Sequence, residues 1–483
     1  MDFVSKNRTI LYGLAATVLS ALFFFIGTGL YPYWWATWLA PAPVLAFAAR
    51  APFKAAFLAA FLACSLGSMN AVHYLKDVIG LPTGVLLSFV VFPGLIFAGA
   101  VVFWRGWLRL ERIWIAALAL PCLWTSYEYL YSILSPHSTF GNIAYSQMNF
   151  LPLIQLASVT GIWGIVFVLL LVPGALVAIL CSALPGAPRA KLAASTGAVV
   201  LLVCAFGVWR LHSEVKGSGK VSVRIITSGA RQDVFAVKDQ PALQLYRRYA
   251  QTISTNSNPP VDLILAPEKI AMITDSVSSE TKSLFSVNAV QANSDVVVGF
   301  DEKRNGARRN EALLFAKDGS VQADYEKHHF IPVLEDGYVL GKDYVVFERP
   351  SGLWGIAICK DMDFPGLGRE YGRRGVGLLI VPAWDFTIDA WYHDRMAVLR
   401  GVESGFTIAR SAKQGLQTIS DSRGRLLLDR PGSPDGFVVS DGLAPVAHVA
   451  TLYAAWGDWF AWLCLAALLA LIFLPRRRKA TSV

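Results

Sequence analysis

The sequence predicts a helical membrane domain of eight spans joined to one extracytoplasmic α/β domain. Three observations carry that reading. The 483 residues are 54% hydrophobic and only 16% charged, too apolar for a soluble chain of this length. The apolar residues gather into runs of about twenty, the length that crosses a bilayer. One long stretch, 212–452, has instead the mixed polarity and short apolar runs of a single folded domain.

Seven apolar runs precede position 212, at 9–28, 31–49, 54–74, 80–103, 113–134, 158–183 and 191–211. The second and fifth are interrupted by Trp, Tyr and Pro. An eighth run covers 453–474, so a final helix is expected over 453–475 and a basic tail over 476–483. Lys6, Arg8, Arg50, Lys54, Arg105, Arg109, Arg112, Arg189, Lys191, Arg476, Arg477, Arg478 and Lys479 all fall on one side if every run crosses. The opposite loops carry little charge. The positive-inside rule then makes both termini cytoplasmic and the 212–452 domain extracytoplasmic. The first run is long for a signal peptide and no small-x-small site follows it, so it is expected to remain as a span. The formal net charge of +9 partly reflects these cytoplasmic loops and suits anionic headgroups. No basic–aromatic surface pattern points to nucleic acid.

Within 212–452, strand-like runs occur at 221–227, 262–267, 295–300, 311–316, 353–358, 377–382, 406–411 and 416–420. Helix-like patterns fall between them at 241–254, 277–291, 366–374 and 389–404. Continuous apolar strands alternating with helices predict a layered α/β fold with a buried sheet. Reactive side chains are then expected at strand ends, where loops meet a cleft.

Three such ends carry candidate chemistry. Glu268 ends DLILAPE, Lys327 lies in DYEKHHF, and Cys359 ends GIAIC. Cys359 is the single cysteine of the domain; Cys64, Cys122, Cys181, Cys204 and Cys464 lie in or at the ends of apolar runs. An intradomain disulfide is therefore excluded. A lone thiol at a strand end is either an inert buried residue or a nucleophile. Glu268 taken alone reads as a solvated turn and Lys327 as a surface charge. Together the three supply a base, a fixed positive charge and a nucleophile. His328, His329 and His393 form no spaced ligand set with nearby carboxylates, so neither a metal nor another cofactor is expected. KGSGK (216–220) precedes a strand and reads as a linker. His73, Lys76 and Glu128, near span ends, either line a lipid path or sit at the interface.

The ordered segments APE(Glu268), YEK(Lys327)HHFIPVLEDGY and AIC(Cys359)KDMDFP resemble the carbon–nitrogen hydrolase (nitrilase) superfamily. RGVESGFTIARSAKQG and ISDSRGRLL resemble its late segments. Seven spans, a nitrilase-like domain and a closing span further resemble the layout of the apolipoprotein N-acyltransferase family. GLYPYWWATWLAPAPVL and GNIAYSQMNFLPLIQLASVTGIWGIVF are similar to segments of that family's membrane part. The resemblance implies an αββα sandwich with a Glu268–Lys327–Cys359 triad. It also implies a bacterial cytoplasmic (inner) membrane location.

It implies the reaction too. Cys359 takes an acyl chain from a phospholipid as a thioester and passes it to the N-terminal amine of a diacylglyceryl-cysteine lipoprotein. Glu268 is the general base and Lys327 the oxyanion stabiliser, with the Lys360 N–H as a second donor. Glu335 corresponds to a second acidic residue that orients Lys327 or shares the base role. Asp361 reads as structural. Trp384, Phe386, Trp391 and Tyr392 either form an amphipathic substrate rim or pack inside the domain. The chain departs from the family at Lys360-Asp361, where Tyr-Glu is usual, and around APEKIA and PAWDFTIDAWYHD. Only Phe235 stands where the family has a Trp after the opening strand. A membrane-anchored carbon–nitrogen hydrolase, or an acyltransferase with another amine acceptor, remains the alternative. No residue pattern specifies an oligomer, and a monomer is expected.

Overall fold

The computed structural model describes residues 3–215, 219–228 and 237–475. The Lys6 side chain, the start of KGSGK at 216–218, Phe235 and the basic tail from Arg476 lie outside the described residues. The chain divides into two compact units. One draws on Met1–Ser135, Thr139–Leu211 and Asp458–Val483, the other on Pro136–Ser138 and His212–Gly457.

The first unit is helical. Among the described residues five helical segments are long and apolar enough to cross a membrane: Arg8–Gly27, Phe53–Ala71, Thr83–Leu108, Ile162–Cys181 and Gly186–His212. The other three expected runs look different. The second is two short helices, Trp34–Leu39 and Ala42–Arg50. Ala40 and Pro41 keep helical dihedrals between them, so the interruption comes chiefly from the N–H that proline lacks. Arg105 donates to the carbonyls of Ala48 (3.0 Å) and Ala51 (2.8 Å), and Arg109 to Ala51 (3.0 Å). These cations satisfy carbonyls that the end of the second short helix leaves open. The fifth run is a continuous 22-residue helix, Ile113–Leu134, with Pro121 and Glu128 inside it. The last begins only after Gly457, at φ +67°, and spans Trp459–Phe473. At 15 residues that helix is about 22 Å long.

Glu128 is enclosed by this unit. Its carboxylate accepts from Trp124 Nε1 (3.0 Å), Asn142 Nδ2 and the Ile143 N–H (3.2 Å). It therefore anchors the turn at Asn142. His73 pairs instead with Asp77 on an exposed stretch.

The second unit is a two-sheet sandwich. Its strands are β1 (Gly219–Ser228), β2 (Leu263–Leu265), β3 (Met272–Thr274), β4 (Asp295–Arg304), β5 (Ala307–Phe315), β6 (Val321–Glu326) and β7 (Val346–Arg349). They continue with β8 (Gly352–Ile356), β9 (Leu378–Trp384), β10 (Thr407–Lys413), β11 (Leu416–Ser420), β12 (Leu426–Pro431) and β13 (Phe437–Val446). One sheet runs β13-β1-β2-β4-β5-β6, with β3 also on β4; the other runs β12-β11-β10-β9-β8-β7. The β1-β2-β4 and β8-β9-β10 neighbours are parallel. These are the strands that read as unbroken apolar runs, because both of their faces are covered.

Alternation along each strand sorts the side chains into layers. Val223, Ile225, Leu263, Leu265 and Val297 join Ile356, Ile380, Ile408 and Ile419 in the core between the sheets. Ile226, Ile264, Val296 and Val298 point the other way and pack with Tyr246, Tyr249, Phe285 and Ala289. Those four belong to helices Gln240–Thr255 and Ser278–Ala292. Helices Pro365–Arg373 and Ala390–Ser404 pack with one another and with the second sheet. The layering is the expected αββα order.

Candidate active site

Parallel strands of both sheets end in one region, and the reactive side chains sit just past those ends. β2 stops at Leu265, and Glu268 follows in a turn whose next residue, Lys269, has φ +40°. Gly299 on β4 lets that turn approach: a Cβ there would stand 2.6 Å from both Glu268 Cα and Pro267 O. Lys327 follows β6 directly, its N–H donating to Asn310 O (2.9 Å). Cys359 follows β8 and opens a tight helical turn, Cys359–Asp363, with φ +41°. A non-glycine residue in that region costs about 1 kcal/mol or more, and such strain concentrates at functional sites.

The charged members interlock. Lys327 Nζ donates to Glu268 Oε1 (2.9 Å) and to both oxygens of Glu335 (3.1 and 3.0 Å). Asn310 Nδ2 donates to Glu268 (2.6 Å) and Glu335 (3.0 Å), and the Ile331 N–H donates to Glu335 (2.9 Å). Lys269 pairs with Glu335 as well. Glu268, Lys327, Glu335, Lys269 and Asn310 are all buried. Burial alone would drive the Lys327 proton off, but Glu268 and Glu335 outweigh it and hold the ammonium firmly charged. Burial likewise opposes ionisation of Glu335, and Lys327 with Lys269 reverses that. Lys327 is thus a fixed cation.

The thiol behaves differently. Burial, then Glu268, raises Cys359 well above the ordinary thiol value, while Lys327 pulls the other way. At rest it is a thiol, and Sγ donates weakly to the Trp384 carbonyl (3.5 Å). A thiol of this kind needs a base at the moment of attack.

The turn that carries Cys359 is pinned by Asp361. Its buried carboxylate accepts from the N–H groups of Ile358 (3.0 Å), His328 (3.2 Å) and His329 (3.0 Å), from His329 Nδ1 (2.9 Å) and from Tyr325 Oη (2.7 Å). One side chain therefore ties the loop after Lys327 to the nucleophile turn. The Lys360 side chain turns aside to Asp363 (2.9 Å). Beyond β9, Asp385 is held by a two-pronged pair with Arg410 (2.9 and 2.6 Å), both buried. This fixes the backbone next to the Trp384 carbonyl.

Of the expected rim, Trp384, Phe386 and Trp391 keep part of their surface. Trp384 and Phe386 lie 5.5 Å apart, and Trp391 faces the Arg395 guanidinium at 5.6 Å. Tyr392 is packed inside the unit, on the covered face of helix Ala390–Ser404. Sequence reasoning missed Lys269, Asn310, Tyr325, Asp385 and Arg410. Asn310 lies in the polar half of RRNEALLF, ahead of its apolar run, and no sequence pattern pointed to any of the five.

Both parts of the chain are similar to known proteins. Residues 16–175 match the apolipoprotein N-acyltransferase N-terminal domain. Residues 229–425 match the carbon–nitrogen hydrolase domain. The chain is 27% identical over 520 aligned residues to the apolipoprotein N-acyltransferase of Geobacter metallireducens, covering 98% of this chain and 96% of that protein. It is 25% identical to that of Chlorobaculum tepidum, over 75% of this chain and 78% of that protein. It is 23% identical to that of Thermotoga maritima, over 76% and 73%. The chain thus joins an apolipoprotein N-acyltransferase N-terminal domain to a carbon–nitrogen hydrolase domain, and over nearly its whole length it is similar to the apolipoprotein N-acyltransferases.

Proposed function

We propose that the protein transfers an acyl chain from a phospholipid, through a Cys359 thioester, to the N-terminal amine of a diacylglyceryl-cysteine lipoprotein. The observation that carries this reading is the buried Glu268–Lys327–Glu335 cluster acting electrostatically on a strained, protonated Cys359. The two-domain family match over nearly the whole chain supports the choice of lipid substrates.

The chemistry runs in two halves. Glu268 takes the Cys359 proton as sulfur attacks the donor's ester carbon. Lys327 and the Lys360 N–H stabilise the oxyanion. The carbon–oxygen bond then breaks, and the leaving alkoxide recovers its proton from Glu268, releasing a lysophospholipid. In the second half the amine attacks the thioester carbon and gives a proton to Glu268. The carbon–sulfur bond breaks, and that proton returns to Cys359. Neither half needs a metal or redox partner.

The eight-span arrangement, with both termini cytoplasmic and the catalytic unit extracytoplasmic in the bacterial inner membrane, belongs to the same proposal. Its basis is the Lys/Arg asymmetry of the loops. On this reading residues 1–211 and 453–475 form the membrane domain, 212–452 the catalytic domain and 476–483 the cytoplasmic tail. Trp384, Phe386 and Trp391 serve as the lipid-facing rim. The test is incubation of the full-length protein with phosphatidylethanolamine vesicles and a diacylglyceryl-cysteine peptide, followed by mass spectrometry. Gain of one acyl chain on the peptide amine is expected. Release of free fatty acid with an unmodified peptide would favour a hydrolase instead.

A further inference from the structure

Lys413 ends β10 deep inside the catalytic unit, 3% exposed. Among the described residues its ammonium has one hydrogen-bond acceptor, the Lys269 carbonyl at 2.9 Å, and no carboxylate within salt-bridge distance. It also stands 4.3 Å from the centre of the Trp384 indole ring. A buried amine without a counter-ion is costly to the fold. Burial and the neighbouring Lys269 charge bring this amine down to about 7, against the pull of Glu268 and Asp301.

The two groups it touches are the two halves of the site. Lys269 directly follows the base Glu268, in a turn with a left-handed residue. Trp384 supplies the carbonyl that receives the Cys359 thiol. The first belongs to the sheet containing β2, the second to the sheet containing β9. Lys413 therefore spans the two sheets where base and nucleophile must meet.

We propose that Lys413 is a positioning residue for acyl transfer, holding the Glu268 turn and the Trp384 carbonyl at the spacing that lets Glu268 take the Cys359 proton. The inference rests on the acyl-transfer reading for its substrate, and on geometry alone for its effect on the thiol.

The test uses full-length Lys413→Met, which keeps side-chain length and removes the donor, with the milder Lys413→Gln alongside. Iodoacetamide alkylation of Cys359 is followed by peptide mass, acyl transfer from phosphatidylethanolamine vesicles by kcat and KM, and folding by the unfolding midpoint. The expected result is a fall of about 10²-fold in alkylation rate and in kcat, with donor KM unchanged. The unfolding midpoint should be no lower than that of the wild type, since a buried unpaired amine has been removed. Lys413→Gln should show the same split at smaller amplitude. Wild-type rates in Lys413→Met would overturn the proposal. So would a change confined to KM, or losses in both variants that track a lowered midpoint or failure to fold. A wild-type chain that alkylates at Cys359 but transfers no acyl chain would overturn the acyl-transfer reading alone.

Discussion

Asp361→Asn isolates the link between the lysine loop and the nucleophile turn. In the native protein one carboxylate oxygen takes the His328 N–H, the His329 N–H and His329 Nδ1, and the other takes Tyr325 Oη and the Ile358 N–H. Asparagine keeps one oxygen, which the first group of donors will hold. Its amide nitrogen then faces the Ile358 N–H, donor against donor, while the Tyr325 hydroxyl can rotate to accept. A buried N–H left without a partner costs about 1–3 kcal/mol. The retained bonds lose their ionic character and roughly half their strength. Relief of carboxylate desolvation offsets part of this, leaving a net loss of about 3 kcal/mol. For a unit of this size that lowers the unfolding midpoint by about 6–12 °C. Thioester formation should fall further than stability does, because Ile358 is the residue before Cys359. Differential scanning calorimetry and thioester yield on the purified protein give both numbers. A midpoint and yield equal to wild type would refute the claim that this carboxylate sets the turn.

Other perturbations have equally definite outcomes. Lys327→Met removes the fixed cation and leaves Glu268 and Glu335 facing each other; single-turnover acyl transfer should fall by about 10³-fold or more. Gly299→Ala places a methyl 2.6 Å from Glu268 Cα, so kcat should drop by about 10²-fold with little change in donor KM. Burial lowers His393, but Asp389 and Asp363 outweigh it and raise the imidazole to about 10. A raised folded value means that its stabilisation is complete below about pH 6.5 and is lost as pH rises toward 10. The unfolding midpoint should therefore decline across that window, and His393→Gln should flatten the decline.

Much of the catalytic unit was legible because its central strands are buried on both faces. β1, β2, β4, β8, β9 and β10 show as apolar runs, and Glu268 and Cys359 follow two of them, β2 and β8, whereas Lys327 follows the polar strand β6. The strands that escaped notice are the weakly patterned ones. β12 (LLLDRP) is largely exposed, and β13 (FVVSDGLAPV) contains Asp, Gly and Pro yet pairs along the whole of β1. Its partner lies some two hundred residues earlier in the chain, a distance that periodicity does not see. Cys359, Lys327 and Glu268 stood out because their types and order imply chemistry together. Asn310, Lys269 and Lys413 carry no such pattern; a lysine at a strand end reads as solvated until the opposite sheet is seen to cover it. The membrane unit was legible as apolar runs, whereas the break near Pro41 and the short Trp459–Phe473 helix depend on local hydrogen bonding.

The central claim is that Cys359 carries the acyl chain. Full-length protein is incubated with phosphatidylethanolamine vesicles and no amine acceptor, digested, and the Cys359 peptide is weighed. One fatty acyl chain on that peptide, released by neutral hydroxylamine and absent in Cys359→Ser, is the predicted result. An unmodified Cys359 peptide from protein that still acylates the lipopeptide would contradict the account.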